Sequence, residues 1–76
     1  MEEEVFNLEL RKFLKGFGVM AQREIENAVE TALRERKLAG DEILAVHATL
    51  SIPGVLPTLE INGEIALASN GPLGPP

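Results

Sequence analysis

The chain is short and acidic: it has 76 residues, 12 acidic against 7 basic side chains, and a net charge of −5. A chain of this length forms one small domain, and the absence of cysteine excludes disulfides and thiolate metal sites. The acidic balance disfavours phosphate backbones, no apolar run is long enough to span a bilayer, and the acidic residues 1–4 are unlike a signal peptide, so we expect a cytoplasmic protein.

The first predicted element is a helix over residues 3–15. Its apolar side chains recur every three or four positions and form one stripe: Phe6, Leu10, Phe13, Leu14 and Phe17. Acidic residues begin this segment and basic residues end it, an order that complements the helix dipole. Gly16 and Gly18 follow, and glycine readily takes the left-handed conformation that closes a helix. The sequence therefore predicts a turn at these glycines.

The second predicted element is a helix over residues 21–38. Its apolar side chains again form one stripe: Ile25, Ala28, Val29, Ala32 and Leu33. Neither Met20 nor Ala21 offers a side-chain oxygen to cap the first amides, so the predicted start of this helix is weak. Gly40 is the predicted end.

The apolar rhythm changes to strict alternation after Gly40, which is typical of strands. We predict strands over residues 43–52 and 58–67, joined by a turn at residues 53–57 that has proline at both ends. Asn62 and Gly63 are a common hairpin signal. A turn there would place Glu60 opposite Ile65, however, whereas a continuous strand keeps the apolar residues on one face. We therefore predict that the second strand runs through Gly63.

These elements predict a two-layer α+β fold of order α-α-β-β, with a helical hairpin packed on a two-stranded antiparallel sheet. The domain covers residues 1–68, and the Gly/Pro-rich residues 69–76 are a predicted disordered tail. A lone hairpin is marginally stable and has exposed edges. A homodimer that joins two sheets into four strands is therefore an alternative to the monomer.

Polar residues around the predicted turn between the helices form the candidate interaction surface. Its members are Arg11, Lys12, Lys15, Gln22, Arg23 and Glu24. Their basic members also make nucleic-acid binding an alternative. The acidic residues of the second helix and the absence of aromatic residues from the strands weigh against it. Pairing among these residues and helix capping explain the same pattern without a ligand.

His47 is the only histidine, and it lies on the polar face of the first predicted strand. Glu60 and Glu64 lie on the corresponding face of the second, so a histidine–carboxylate pair is conceivable as a general base. No serine, cysteine or second acid stands at a spacing that completes a catalytic site. We therefore expect no enzyme activity, no cofactor and no metal.

A series of short segments resembles a family of short bacterial proteins that is known as a domain of unknown function. The segments are Val5-Phe6-Asn7, Arg11-Lys12-Phe13-Leu14-Lys15, Gly18-Val19, Gln22-Arg23-Glu24-Ile25-Glu26 and Ala28-Val29. The resemblance implies a bacterial, cytoplasmic protein and supplies no activity, cofactor or catalytic residue.

The leading functional hypothesis is a small non-enzymatic protein-interaction module. Its partner is an unknown protein, a second copy of the chain, or both. Nucleic-acid binding by the basic residues between the helices is the alternative, and we expect no membrane association.

Overall fold

The computed structural model describes residues 1–69 and contains one helix followed by two strands. The helix, α1, spans Glu3–Arg34; the strands, β1 and β2, span Ile43–Ile52 and Leu56–Ala66. The α+β class is confirmed. The chain divides into two compact units, of which the first is Met1–Lys37 and the second begins at Leu38. The predicted tail lies outside the described residues, except for Ser69.

The predicted helical hairpin is wrong, because α1 continues without interruption through Gly16 and Gly18. A glycine inside a helix costs only about 1 kcal/mol relative to alanine, and neither position carries the proline that would force a break. The apolar stripe also crosses the glycines: Phe17, Ala21 and Ile25 are spaced by four residues. The missing cap at Met20 and Ala21 has the same explanation, since no helix begins there.

The C-terminus of α1 also comes earlier than predicted, at Arg34 rather than near Gly40. Arg36 takes the left-handed conformation with φ of 60°. Its N–H donates to the carbonyl of Leu33 at 3.1 Å, and the Lys37 N–H donates to the carbonyl of Ala32 at 2.8 Å. This pair of hydrogen bonds is the Schellman arrangement, which stops a helix and is more often built around glycine.

The two strands form one antiparallel sheet, as predicted. Leu44 lies opposite Ile65, and Val46 lies opposite Gly63. The prediction that Asn62 and Gly63 belong to a continuous strand is confirmed. Because this register matches apolar residues across the sheet, the cross-strand pairs support one common apolar face.

The turn between the strands is shorter than predicted. The Val55 N–H donates to the carbonyl of Ile52 at 2.9 Å, and Gly54 has φ of 79°. Proline at the second position and a positive φ at the third are typical of a type II turn. Pro57 lies inside β2 rather than in the turn.

A β-bulge follows the turn. Between the pairs Leu50–Leu59 and Ile52–Leu56, β2 has one residue more than β1, and Pro57 is in this extra stretch. The bulge restores Leu56 to the apolar face after the three-residue connection. A proline and a bulge also make this end of β2 a poor template for a further strand.

No side chain of residues 1–69 is buried. From Ile43 to Ser51 of β1, exposed and half-buried residues alternate, and Ile52 at the end of the strand is also exposed. In α1 the half-buried residues are Ala21, Val29, Thr31 and Ala32. The predicted single domain over residues 1–68 stays a prediction, as does the four-stranded dimer.

Candidate interaction surface

The most distinctive surface of the described chain is an uncovered row of apolar side chains along α1, which we call the apolar stripe. Its six large members are each between 37% and 54% exposed. A helical spacing of three and four residues keeps all members on one side of α1. The members are Phe6, Leu10, Phe13, Leu14, Phe17, Ala21, Ile25, Ala28 and Ala32.

Two aromatic rings form the middle of the apolar stripe. The ring centroids of Phe13 and Phe17 are 6.4 Å apart and their planes are inclined by 16°, so the rings stack one turn apart. Because Gly16 has no side chain, a shallow notch opens beside them, bordered also by Lys12 and Met20. The stacked rings and the notch give the stripe a ridge and a hollow in its middle.

The six predicted interaction residues do not surround a turn, because all of them lie on the continuous α1. With a rise of 1.5 Å per residue, the segment from Arg11 to Glu24 extends over roughly 20 Å. Lys12 and Glu24 border the same notch. The Gln22 side-chain amide donates to Glu26 at 3.2 Å. The predicted cluster is therefore an extended strip rather than a compact island.

Charge is arranged in blocks along α1. Acidic residues occupy the first turn and basic Arg34 the last. Between them lie a basic block, Arg11, Lys12 and Lys15, and an acidic block, Glu24, Glu26 and Glu30. The sequence of signs is therefore acidic, basic, acidic, basic, with Arg23 as an extra cation before the second acidic block.

His47 lies on the exposed face of the hairpin, directly opposite Asn62. Glu60 and Glu64 lie one position to either side of Asn62 on that face, as the alternation predicts. Within residues 1–69 the structure shows no ion pair between His47 and either carboxylate. The predicted histidine–carboxylate pair therefore has no support in the observed geometry.

The sequence reasoning missed one residue of structural consequence, Glu42. Its carboxylate accepts hydrogen bonds from the backbone N–H groups of Ala39 and Gly40, at 2.8 and 2.9 Å. The bonds from Ala39 and then Gly40 lower the pKa of Glu42 below its ordinary value of 4.5, because they favour the charged carboxylate. The available signal was an acidic side chain two residues after a glycine, because short polar spacings of this kind often hydrogen-bond to nearby backbone.

Two kinds of feature are absent from residues 1–69: a cluster of metal ligands and a membrane-spanning helix. Residues 1–69 contain no group of three or more histidine, aspartate or glutamate side chains that are placed to hold a metal ion. No helix within the same residues combines the length and apolar character needed to cross a membrane.

The model of a family of unknown function, DUF6494, matches residues 1–68. The chain belongs to this family. The predicted resemblance to a domain of unknown function is therefore confirmed. No curated protein matches the chain, and no solved structure matches it either.

Proposed function

We propose that the chain is a non-enzymatic protein-interaction module whose binding surface is the apolar stripe of α1. The single observation that carries this proposal is the exposure of Leu10, Phe13 and Phe17, each at least 41% accessible on one side of one helix. Contiguous exposed apolar surface is typical of protein–protein interaction sites, and an amphipathic helix commonly binds through such a face.

The predicted interaction residues divide between two sides of α1. Lys12, Lys15 and Arg23 lie on the side of Val19, opposite the apolar stripe, since each is four or seven residues from Val19. Glu24 shares the side of the stripe, because it is five full turns from Phe6. Non-enzymatic action is part of the same proposal; the chain has no cysteine and one histidine, His47, and within residues 1–69 no ion pair joins His47 to a carboxylate.

Affinity capture with three baits tests this proposal: the unchanged chain, Phe13→Glu and Val19→Glu. Phe13 is on the apolar stripe, whereas Val19, equally exposed, is on the opposite side of α1. We expect the unchanged chain and Val19→Glu to retain the same proteins from a lysate of the native cells, and Phe13→Glu to lose them. Retention by all three baits would contradict the proposal.

Nucleic-acid binding is a second candidate, because α1 keeps four cations within one sector of its surface. Lys12 and Arg23 are eleven residues apart, which is close to three full turns, and Arg11 and Lys15 are one turn apart. Nuclease treatment of half of each lysate separates the two candidates. Capture that disappears with nuclease, and that weakens steeply with added salt, would favour nucleic acid over protein.

A further inference from the structure

The two outer edges of the hairpin differ in how well they resist pairing with another strand. Natural edge strands usually carry charged residues, proline or a bulge that prevents such pairing. The outer edge of β2 has all three, in Glu60, Glu64 and the bulge at Pro57. The ten residues of β1 include no charged residue and no proline. The outer edge of β1, which we call the open edge, is therefore the one suited to a further strand.

The backbone hydrogen bonds show which residues of β1 form the open edge. The Leu67 N–H donates to the carbonyl of Glu42 at 2.9 Å, one position beyond the pair Ile43–Ala66. Because hydrogen-bonded and non-hydrogen-bonded pairs alternate in an antiparallel ladder, the even-numbered residues of β1 bond to β2 and the odd-numbered residues direct their N–H and C=O groups outward. The outward residues are Ile43, Ala45, His47, Thr49 and Ser51. Apart from the hairpin ladder, no backbone hydrogen bond within residues 1–69 involves any of them.

The open edge is complementary to a second copy of itself. When two β1 strands run antiparallel about a twofold axis at His47, every outward residue lies opposite another outward residue, so all of their N–H and C=O groups gain partners. This register is the only one that pairs all five outward residues with one another. The facing pairs are His47 with His47, Ala45 with Thr49, and Ile43 with Ser51.

The same register also matches the apolar faces of the two hairpins. Across the new junction Leu44 lies opposite Leu50, and Val46 lies opposite Ala48. All four residues are half-buried in the single hairpin, and apolar cross-strand pairs stabilise a sheet. A twofold axis perpendicular to the sheet keeps both apolar faces on one side. Two hairpins, each marginal as a two-stranded sheet, would thus form one four-stranded sheet with a continuous apolar face.

The distribution of charge favours the open edge over the edge of β2. A pair of β2 strands centred on Asn62 would place Glu60 opposite Glu64 twice, and like charges directly opposite each other are destabilising. In a pair of β1 strands no charged residues meet, and the two β2 strands lie outermost, roughly 14 Å apart. The four-stranded sheet ends on both sides in a β2 edge that resists pairing, so the assembly closes at two copies.

We propose that β1 pairs with β1 of a second copy of this chain, antiparallel about a twofold axis at His47, so that two hairpins form one four-stranded sheet. The proposal goes beyond the proposed function, because it concerns the open edge and does not involve the apolar stripe of α1. Backbone groups at a sheet edge are matched by another extended strand. A second copy supplies one that has no charge and that matches β1 in length, register and apolar face.

Two proline variants test the open edge as a matched pair. His47 and Asn62 lie opposite each other in the hairpin, and each directs its N–H away from the other strand, so proline at either position preserves the ladder between β1 and β2. In sedimentation equilibrium we expect the unchanged chain to dimerise and Asn62→Pro to leave the dissociation constant within about twofold. His47→Pro should weaken the dimer at least about tenfold, because two central hydrogen bonds are lost.

Two lysine variants test the same edge without a change of backbone. His47→Lys and Asn62→Lys add the same charge at facing positions of the hairpin. In the proposed dimer the two lysines of His47→Lys lie directly opposite each other, whereas those of Asn62→Lys lie on the outermost strands. We expect His47→Lys to weaken the dimer about fivefold at low salt and less at high salt, and Asn62→Lys to have little effect.

Amide hydrogen exchange in the unchanged chain locates the contact directly. The N–H groups of Ala45, His47 and Thr49 should exchange rapidly in dilute solution and at least about tenfold more slowly at concentrations where the chain is dimeric. The N–H groups of Asn62 and Glu64, on the outer edge of β2, should exchange rapidly at both concentrations.

Three results would overturn the inference: a chain that stays monomeric at high micromolar concentration, a dimer that neither His47→Pro nor His47→Lys weakens, or protection of the outer amides of β2 in place of those of β1. Phe13→Glu should leave the dimer intact. A dimer that Phe13→Glu abolishes would pair through the apolar stripe, which would overturn edge pairing and leave the proposed function standing. If Phe13→Glu keeps both the dimer and all captured proteins, the proposed function fails and edge pairing stands.

Discussion

The helix and the hairpin differ in whether their apolar side chains pair within the same element. In the hairpin the apolar residues on one face of β1 lie opposite apolar residues or Gly63 of β2, and four of them are half-buried. In α1 the stripe residues are neighbours of one another at spacings of three and four, and the large ones remain exposed. The hairpin carries its own pairing partner, whereas α1 leaves its stripe available.

This difference shows where an interaction surface is to be expected in a chain of this size. Cross-strand pairing satisfies the backbone groups and side chains that face each other within the hairpin. A helix satisfies its backbone internally but depends on another element to cover its apolar side. The uncovered stripe is therefore the feature of this chain that most requires a partner.

The most disruptive change we foresee is Ala21→Pro. Proline inside a continuous helix removes a hydrogen bond and clashes with the preceding turn, at a cost of about 3 kcal/mol or more. Circular dichroism at 222 nm should show a large loss of helix content, because α1 would be broken near its middle. Glu3→Pro is the control, because Glu3 is the first helical residue and proline is tolerated there. A small loss of helix content in both variants would argue instead for a second helix that begins near Ala21, where proline would be tolerated.

The next largest effect should come from Gly54→Val in the hairpin turn. Gly54 has φ of 79°, a conformation that costs a side-chain-bearing residue about 1–2 kcal/mol. Gly63→Val is the counterpart in β2, where a Cβ meets nothing within 4 Å; a valine there faces Val46 and should stabilise the hairpin by about 0.2–1 kcal/mol. Thermal unfolding of both variants, followed through the hairpin's amide signals by NMR, should give shifts of opposite sign.

Gly16→Ala and Gly18→Ala should each stabilise α1 by about 1 kcal/mol. Nothing lies within 4 Å of a Cβ at either position, and both glycines are helical rather than left-handed. Urea unfolding monitored at 222 nm measures the gain. Destabilisation by either alanine would indicate a turn, because a left-handed position rejects a Cβ.

The smallest effect concerns pH. Because hydrogen bonds lower the pKa of Glu42 in the folded hairpin, the carboxylate contributes stability above its unfolded value of 4.5, and this contribution is lost as the pH falls below 4.5 through the lowered pKa. Glu42→Gln should therefore destabilise the hairpin at neutral pH and reduce its acid sensitivity below 4.5. Glu60→Gln, an exposed carboxylate of β2, is the control. An unchanged acid sensitivity in Glu42→Gln would contradict this role.

The hairpin could be predicted from the sequence in outline, because alternation fixes which residues share one face of a strand. A shift by one residue would move Leu44 and Ile65 to the wrong face, so the apolar pattern alone excluded a turn at Asn62. The bulge at Pro57 could not be predicted, since alternation does not show which strand takes an extra residue when a turn is short.

The helix was harder to predict, because a glycine that ends a helix and a glycine inside a helix look alike in the sequence. Gly16 and Gly18 have the composition of a helix end, but their cost inside a helix is small enough for the flanking residues to override. The continuity of Phe17, Ala21 and Ile25 was the available signal. The early end at Arg34 left no such signal, because it depends on Arg36, and an arginine rarely takes the left-handed conformation.

The candidate site was only partly predictable for the same reason. The sequence indicated the charged residues such as Arg11 and Arg23 but grouped them around a turn that does not exist. The apolar stripe was expected to be covered by the fold, and its exposure became visible only in the structure.

The most direct test of this account is the distance between two spin labels in one chain, Leu8→Cys and Glu30→Cys, diluted into a large excess of unlabelled chain so that only distances within a chain are measured. One continuous helix predicts a separation of about 33 Å along its axis. A helical hairpin that turns at Gly16 and Gly18 would bring residues 8 and 30 side by side, within roughly 10–15 Å given the usual spacing of packed helices. That short distance would contradict a continuous α1, and with it the uninterrupted apolar stripe on which the proposed function depends.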